Sequence, residues 1–327
     1  MRLIVLGTSA GGGCPQWNCA CPNCTNARLD QTLARTTDSL AFSDTGDHWT
    51  IVNPGTDLRL QLSRQPTMAP RADAGTIRQT RITSVILTDA EIDHAMGVLN
   101  LREGSALNIF ATKSVLDLLS GAFPLRTILK KYASILWNEI VPGVPFVPNA
   151  EFGEGTKVTA FGLSARQPKY ANVPYSKIED AVIGLRLDND ASGTTVAYAP
   201  QLGKWDETVD TLTNGAKIIL ADGTFYTSTE LQNYGLPAGT AEEMGHLPLS
   251  ESDAAHAAEK STDKKGLLQK LSACTAEIKL LTHINNTNPI LRDNSPERDA
   301  VRKAGIELAY DGMFFEVAQS CHGSTNE

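Results

Sequence analysis

Leu87-Thr88-Asp89-Ala90-Glu91-Ile92-Asp93-His94 is the stretch on which the reading of this chain turns. An apolar run over 84–87 has strand character, and it empties into three carboxylates and a histidine. In an extended segment Asp89, Glu91 and Asp93 would share one face, because side chains alternate along a strand. Three like charges on one face repel unless a cation or hydrogen-bond donors compensate them. A bound metal ion is the economical explanation. The rival reading is a solvated turn in which Asp93 caps a helix beginning at His94.

A second cluster stands near the start, in Gly11-Gly12-Gly13-Cys14-Pro15-Gln16-Trp17-Asn18-Cys19-Ala20-Cys21-Pro22-Asn23-Cys24. Cys19, Cys21 and Cys24 form C-x-C-x-x-C, a spacing that brings thiolates to one point and suits tetrahedral zinc. The net charge of −8 argues against a general nucleic-acid binder, whose footprint would be basic. No apolar run approaches the roughly 18 residues of a membrane span. The N-terminal Met1-Arg2-Leu3-Ile4-Val5-Leu6-Gly7 is too short for a secretory core, so a cytoplasmic protein is expected. Thiols stay reduced there, which favours metal over disulfide.

Apolar runs bounded by turn signals predict strands at 3–6, 49–52, 84–87 and 107–111 in the first half. In the second half they predict strands at 157–161, 181–187, 194–198, 217–220, 278–282, 307–310 and 313–317. The turn Asp188-Asn189-Asp190-Ala191-Ser192-Gly193 makes 181–198 a hairpin. Helices are expected over 95–101, 115–119, 125–132, 252–260, 264–273 and 295–304. This mixture implies two packed sheets flanked by helices, in one domain over 1–317, with a polar tail at 318–327.

Few other residues can carry chemistry. His246 lies in Met244-Gly245-His246-Leu247-Pro248, a loop bracketed by glycine and proline. His283 follows the strand at 278–282, where scaffolds present functional groups. Asp222 ends another buried strand and could ligate, orient a ligand or simply turn the chain. His48 and His256 lie in polar stretches and read as surface.

Here the residues reach a family. A strand followed by Leu-Thr-x-x-x-x-Asp-His resembles the metallo-β-lactamase fold, whose first metal motif is His-x-His-x-Asp-His. This chain keeps Asp93 and His94 but has Asp89 and Glu91 in place of the two leading histidines. Several unusual motifs occur in order between residue 1 and about 317. They are Gly7-Thr8-Ser9-Ala10-Gly11-Gly12-Gly13, the cysteine cluster, Leu101-Arg102-Glu103-Gly104, Asp222-Gly223-Thr224-Phe225, Met244-Gly245-His246-Leu247-Pro248, His283-Ile284-Asn285-Asn286-Thr287-Asn288-Pro289 and Ala309-Tyr310-Asp311-Gly312-Met313. Together they closely resemble the protein B family of pyrroloquinoline quinone (PQQ) biosynthesis. The region 120–180 and the tail with Cys321 and His322 lie outside the matching motifs.

The resemblance implies an α/β (α+β) fold, an αββα sandwich of two mixed sheets with helices outside. It implies Asp93, His94 and His283 as ligands of an active-site metal, Fe(II) or alternatively Zn2+, with O2 as co-substrate. Glu91, Asp89, His246 and Asp222 then handle protons or orient ligands. Cys19, Cys21 and Cys24 would hold a separate structural zinc. Related phosphodiesterases complete that site with a histidine three residues past the last active-site histidine. Asn286 stands there, and an amide is a poor substitute for a thiolate or imidazole. The fourth ligand is therefore open between Cys14, Asn286, Cys274 and His322. The implied reaction is hydroxylation of the tyrosine ring in a cross-linked glutamate–tyrosine precursor derived from a peptide. Arg59, Arg102 and Lys169 are candidate partners for its carboxylates. Partner proteins of the same pathway and a homodimer are compatible with the resemblance. A zinc hydrolase of the fold and a carrier of PQQ or its precursor are the alternatives.

Overall fold

The computed structural model describes residues 1–71, 77–104, 106–132, 134–171, 180–251 and 265–317. The helix expected over 252–260, His256, and the tail with Cys321 and His322 lie outside the described residues.

Thirteen strands are described: β1 (Arg2–Gly7), β2 (Ser39–Ser43), β3 (Trp49–Val52), β4 (Ile82–Ile86), β5 (Leu107–Thr112), β6 (Ile135–Ile140), β7 (Lys157–Ser164), β8 (Val182–Asn189), β9 (Thr194–Ala199), β10 (Ile218–Asp222), β11 (Ile278–Thr282), β12 (Glu307–Leu308) and β13 (Met313–Glu316). They build a seven-stranded sheet, β13-β1-β2-β3-β4-β5-β6, and a six-stranded sheet, β12-β11-β10-β9-β8-β7. Both are mixed. In the first, β3, β4 and β5 run parallel while β1 and β2 are antiparallel. In the second, β9, β10 and β11 are parallel and β7, β8 and β9 antiparallel.

The period of two in the strands sorts their side chains into three apolar layers. Leu3 and Val5, Leu40 and Phe42, Val196 and Tyr198, and Ile218 and Leu220 fill the layer between the sheets. Their neighbours Ile4, Leu6 and Ala41 face the helices outside the first sheet. Ala197, Ala199, Ile219 and Ala221 face those outside the second. Burying each large aliphatic side chain stabilises by about 1.5–3 kcal/mol. This is the αββα sandwich that the motifs led us to expect.

Helices Pro22–Leu29, Leu58–Ser63 and Glu207–Thr213 are additional to those expected, and other local features depart as well. The helix placed at 95–101 is a single α turn, Ile92–Ala95, followed by a 3-10 run, Met96–Glu103. Gly97 explains the change: its N–H donates to Pro54 O at 2.8 Å, and a Cβ there would collide with Gly55 O. Packing against the turn after β3 thus overrides the α period. Strands β2 and β6 are additional. The five residues of β2 are all buried, and serines at both ends disguise the run. The half-exposed β6 follows helical apolar spacing that masks its start. Among the described residues no helix is long and apolar enough to cross a membrane.

Candidate metal centre

The C-terminal ends of β4, β10 and β11 meet at one edge of the sandwich, where parallel strands commonly present ligands. The register pairs Asp222 with Thr282, so the residue after β11, His283, lies beside the end of β10. The stretch after β4 approaches from the other sheet. Asp93 Oδ2 lies 3.8 Å from His94 Nε2 and 3.7 Å from His283 Nε2. The donor atoms of these three residues all lie within 4.8 Å of one another.

The chain turns into helix at Ile92, so Asp89, Glu91 and Asp93 do not share the face of an extended strand. Nor does Asp93 cap the helix. Glu91 occupies the N-cap position and Asp93 sits in the first turn. Asp89 is fully buried, and its Oδ2 lies 2.7 Å from His94 Nδ1. Asp222 repeats the arrangement, with Oδ2 at 2.7 Å from His246 Nδ1. An ionised carboxylate only accepts, so both rings carry the proton on Nδ1. Thr224 Oγ1 donates to Asp222 Oδ1 at 2.6 Å and accepts from His283 Nδ1 at 2.8 Å. In their neutral forms all three imidazoles therefore keep a free lone pair on Nε2. His94 Nε2 is buried without a hydrogen-bond partner.

His283 is held in a left-handed backbone conformation, φ 53°. That conformation costs a non-glycine residue on the order of 1 kcal/mol. Thr224 Oγ1, which accepts from His283 Nδ1, and Thr8 O, which accepts from Ile284 N at 2.8 Å, fix it there. Asn53, also at φ 53°, accepts from Thr88 N, and Thr88 Oγ1 donates to Asp89 Oδ2 at 2.9 Å. Gly11 completes the wall, because a Cβ there would lie 3.0 Å from the Asp93 carboxylate.

The charges suit a cation. Burial opposes a charge on His94, but Asp89 and Asp93 outweigh it and raise the ring to about 10. Burial likewise opposes ionisation of Asp93, yet His94 and the bond to His283 hold its carboxyl well below the usual range. Burial, then the charges of Asp89 and Asp93, lift Glu91 to about 7. A divalent ion can replace the imidazolium proton in this carboxylate-rich pocket, and the partnerless Nε2 is the atom it would take. The residues present therefore fit a metal.

A second group, Asp222, His246 and His283, also has its donor atoms within 4.8 Å. Its capacity is partly used. Asp222 Oδ2 accepts from Leu202 N as well as facing His246, and Oδ1 accepts from Thr224. The His246 ring stacks on His283 at 5.5 Å between centroids.

The cysteine knot packs against the same loop, at Asn286, three residues past His283. The sulfurs of Cys19, Cys21 and Cys24 fall within 4.8 Å of one another. Asn286 Nδ2 faces all three, at 3.1, 3.7 and 3.2 Å. Asn23 Nδ2 donates to Asn286 O and Asn288 O, pinning helix Pro22–Leu29 to the loop. Cys14 packs in the same buried cluster but outside the group of three. Cys274 ends helix Leu267–Ala273 in another layer, with its sulfur on Lys270 O. Asn286, the weaker donor on chemical grounds, is the residue placed over the sulfurs.

Arg59 and Lys169 are exposed, and Arg102 turns to Leu99 O and Glu103. Two cations offset the rise of Glu91, His94 first and then Arg166. His48 is half-buried and stacks on Phe152 at 4.0 Å. Asp38 had no part in the sequence reading. It is fully buried and accepts from Tyr198 Oη and Thr282 Oγ1, tying the start of β2 to β9 and β11 directly before His283. Burial raises its carboxyl, and the positive field of His283 and His94 opposes that rise. Its only signal in the sequence is a carboxylate opening a buried run.

Residues 48–284 match the beta-lactamase superfamily domain. Coenzyme PQQ synthesis protein B of Cupriavidus necator is 40% identical over 316 residues, covering 95% of this chain and 98% of its own. That of Pseudomonas putida is 38% identical over 321 residues, covering 97% and 100%. The crystal structure of Zn(2+)-bound PqqB from Methylobacterium extorquens superposes with a TM-score of 0.82 at 28% identity, over 97% of this chain and 100% of that one. Fold, motif order and these similarities agree, and the chain belongs to the coenzyme PQQ synthesis protein B family of the beta-lactamase superfamily.

Proposed function

We propose that this chain is a non-heme iron oxygenase of PQQ assembly, hydroxylating the tyrosine ring of a cross-linked glutamate–tyrosine precursor. The convergence of Asp93 Oδ2, His94 Nε2 and His283 Nε2 carries the reading. Two imidazoles and one carboxylate are the donor set of non-heme Fe(II) oxygenases, which leaves positions open for dioxygen and substrate. Fe(II) held there supplies the redox chemistry that no side chain of this site provides. One oxygen atom enters the ring and the other leaves as water, so an external two-electron reductant is required.

The chain's own groups do the rest. Asp89, Asp222 and Thr224 fix the tautomers and orientations of the three histidines. Glu91, poised near 7, holds or releases a proton at the mouth of the site. His246, held by Asp222 beside His283, is the second proton-handling group. Cys19, Cys21 and Cys24 hold a structural zinc. A half-turn of the Asn286 amide presents Oδ1 to it as fourth ligand.

One observation favours a second reading, a zinc hydrolase. The Asp222, His246 and His283 group offers a place for a second ion. Against it, both Asp222 oxygens are already engaged. Anaerobic reconstitution with Fe(II), followed by oxygen uptake with the cross-linked diamino acid and ascorbate, separates the readings. Substrate-dependent uptake that His94→Ala abolishes is expected. Uptake no greater than in metal-free protein, with hydrolysis of a phosphodiester or ester instead, would support the hydrolase. Tight binding of the diamino acid without turnover would support a carrier.

A further inference from the structure

Residues 165–171 leave β7 and run between the two loops that wall the metal centre. At one end Arg166 donates through Nη1 to Glu243 O. Its stem lies against Gly245, where a Cβ would come within 2.9 Å of Arg166 Cδ and 3.3 Å of Nε. Gly245, at φ 90°, directly precedes His246. At the other end Tyr170 Oη donates to Ala90 O at 2.5 Å, immediately before Glu91. Arg166 therefore sits against the His246 loop, on a segment whose far end is tied to the Glu91 loop. Its charge partly offsets the burial that raises Glu91.

The surroundings give this cation a task. Glu91 and Asp93 bring carboxylates to the site, and a substrate bearing several carboxylates needs a cation to offset them. Arg166 has no carboxylate within ion-pair range among the described residues. One N–H is spent on Glu243 O, which fixes the guanidinium in place. The remaining donors form a planar fork matched to a carboxylate.

We infer that Arg166 forms a carboxylate subsite at the mouth of the metal centre, selecting amino acids that carry a free carboxylate beside an aromatic ring. This rests on the oxygenase reading and names the group that orients its substrate. Arg166 touches the substrate's carboxylate and takes no part in the bond-making step.

The test is calorimetric titration of zinc-loaded protein, which is redox-silent, with the cross-linked diamino acid. Arg166→Gln is expected to weaken binding about 10- to 100-fold, the range for losing a charged hydrogen-bonded pair. Arg166→Lys, which keeps charge and stem, should recover part of the loss. Methyl-esterified diamino acid should bind wild type and Arg166→Gln equally weakly. Equal binding of the acid to wild type and to both variants overturns the subsite, as does equal binding of acid and ester to wild type. Failure of wild type to bind the diamino acid would instead count against the oxygenase reading. Free tyrosine then decides the subsite alone: binding lost in Arg166→Gln sustains it, and binding that is absent or unchanged overturns it.

Discussion

Asp89 and Asp222 act in the same way on two different histidines. Each places a buried carboxylate oxygen 2.7 Å from an Nδ1, leaving Nε2 free to meet a cation. In Asp89→Asn the amide can offer N–H to Nδ1, which moves the ring proton to Nε2 and blocks the lone pair. Affinity for Co(II) or Fe(II) should fall about 10- to 100-fold, with the zinc of the cysteine knot retained. An unchanged affinity would contradict the orienting role. These carboxylates were legible in the sequence because Asp89 follows a buried strand in a motif with a histidine and Asp222 ends another buried strand. Asp38 and Arg166 were not. Their partners lie far along the chain: Tyr198 and Thr282 for the first, Glu243 and Gly245 for the second. Local patterning shows only a carboxylate opening a buried run for Asp38 and nothing for Arg166.

The loop after β11 joins the two candidate metal sites. His283 opens it, Asn286 covers the cysteine sulfurs, and Asn288 receives the helix through Asn23. Cys21→Ala should lower zinc content and the unfolding midpoint together, because structural zinc contributes folding free energy directly. Unchanged zinc stoichiometry by atomic absorption would reject that assignment. Glu230 supports the same loop, accepting from Thr287 Oγ1 at 2.6 Å and Tyr226 N at 2.8 Å. Burial outweighs these bonds and raises its carboxyl from 4.5 to about 7.

The folded chain therefore holds this proton more tightly than the unfolded chain does. The stabilisation is complete below about 4.5 and is lost as pH rises to about 7, by up to about 3 kcal/mol. Glu230→Gln should flatten that part of the stability profile of the metal-free protein in urea unfolding, leaving the Glu91 contribution. An identical slope in the variant would contradict the burial account. The helix Pro296–Lys303 was expected over 295–304, and Ser295 caps it, its Oγ accepting from Arg298 N. The 3-10 run after His94 was not, since it is set by contact with Pro54 and Gly55.

The whole molecule is three apolar layers held by two sheets, with the chemistry at the edge where three strands end. Layer membership follows from strand alternation, so the sandwich could be read from apolar runs and turns. Strand order could not. The pairing of β1 with β13 joins residues 2–5 to 313–316, and no local pattern encodes a contact across the length of the chain.

The two sheets matter to function because each supplies part of the donor set: Asp93 and His94 from beyond β4, His283 from beyond β11. The most direct test of the oxygenase proposal is turnover of Fe(II)-loaded protein under isotopically labelled dioxygen, with the cross-linked diamino acid and ascorbate. The account predicts a product carrying one labelled oxygen on the tyrosine ring, absent in His94→Ala. Label entering from water instead, or unmodified diamino acid after full iron loading, would contradict it.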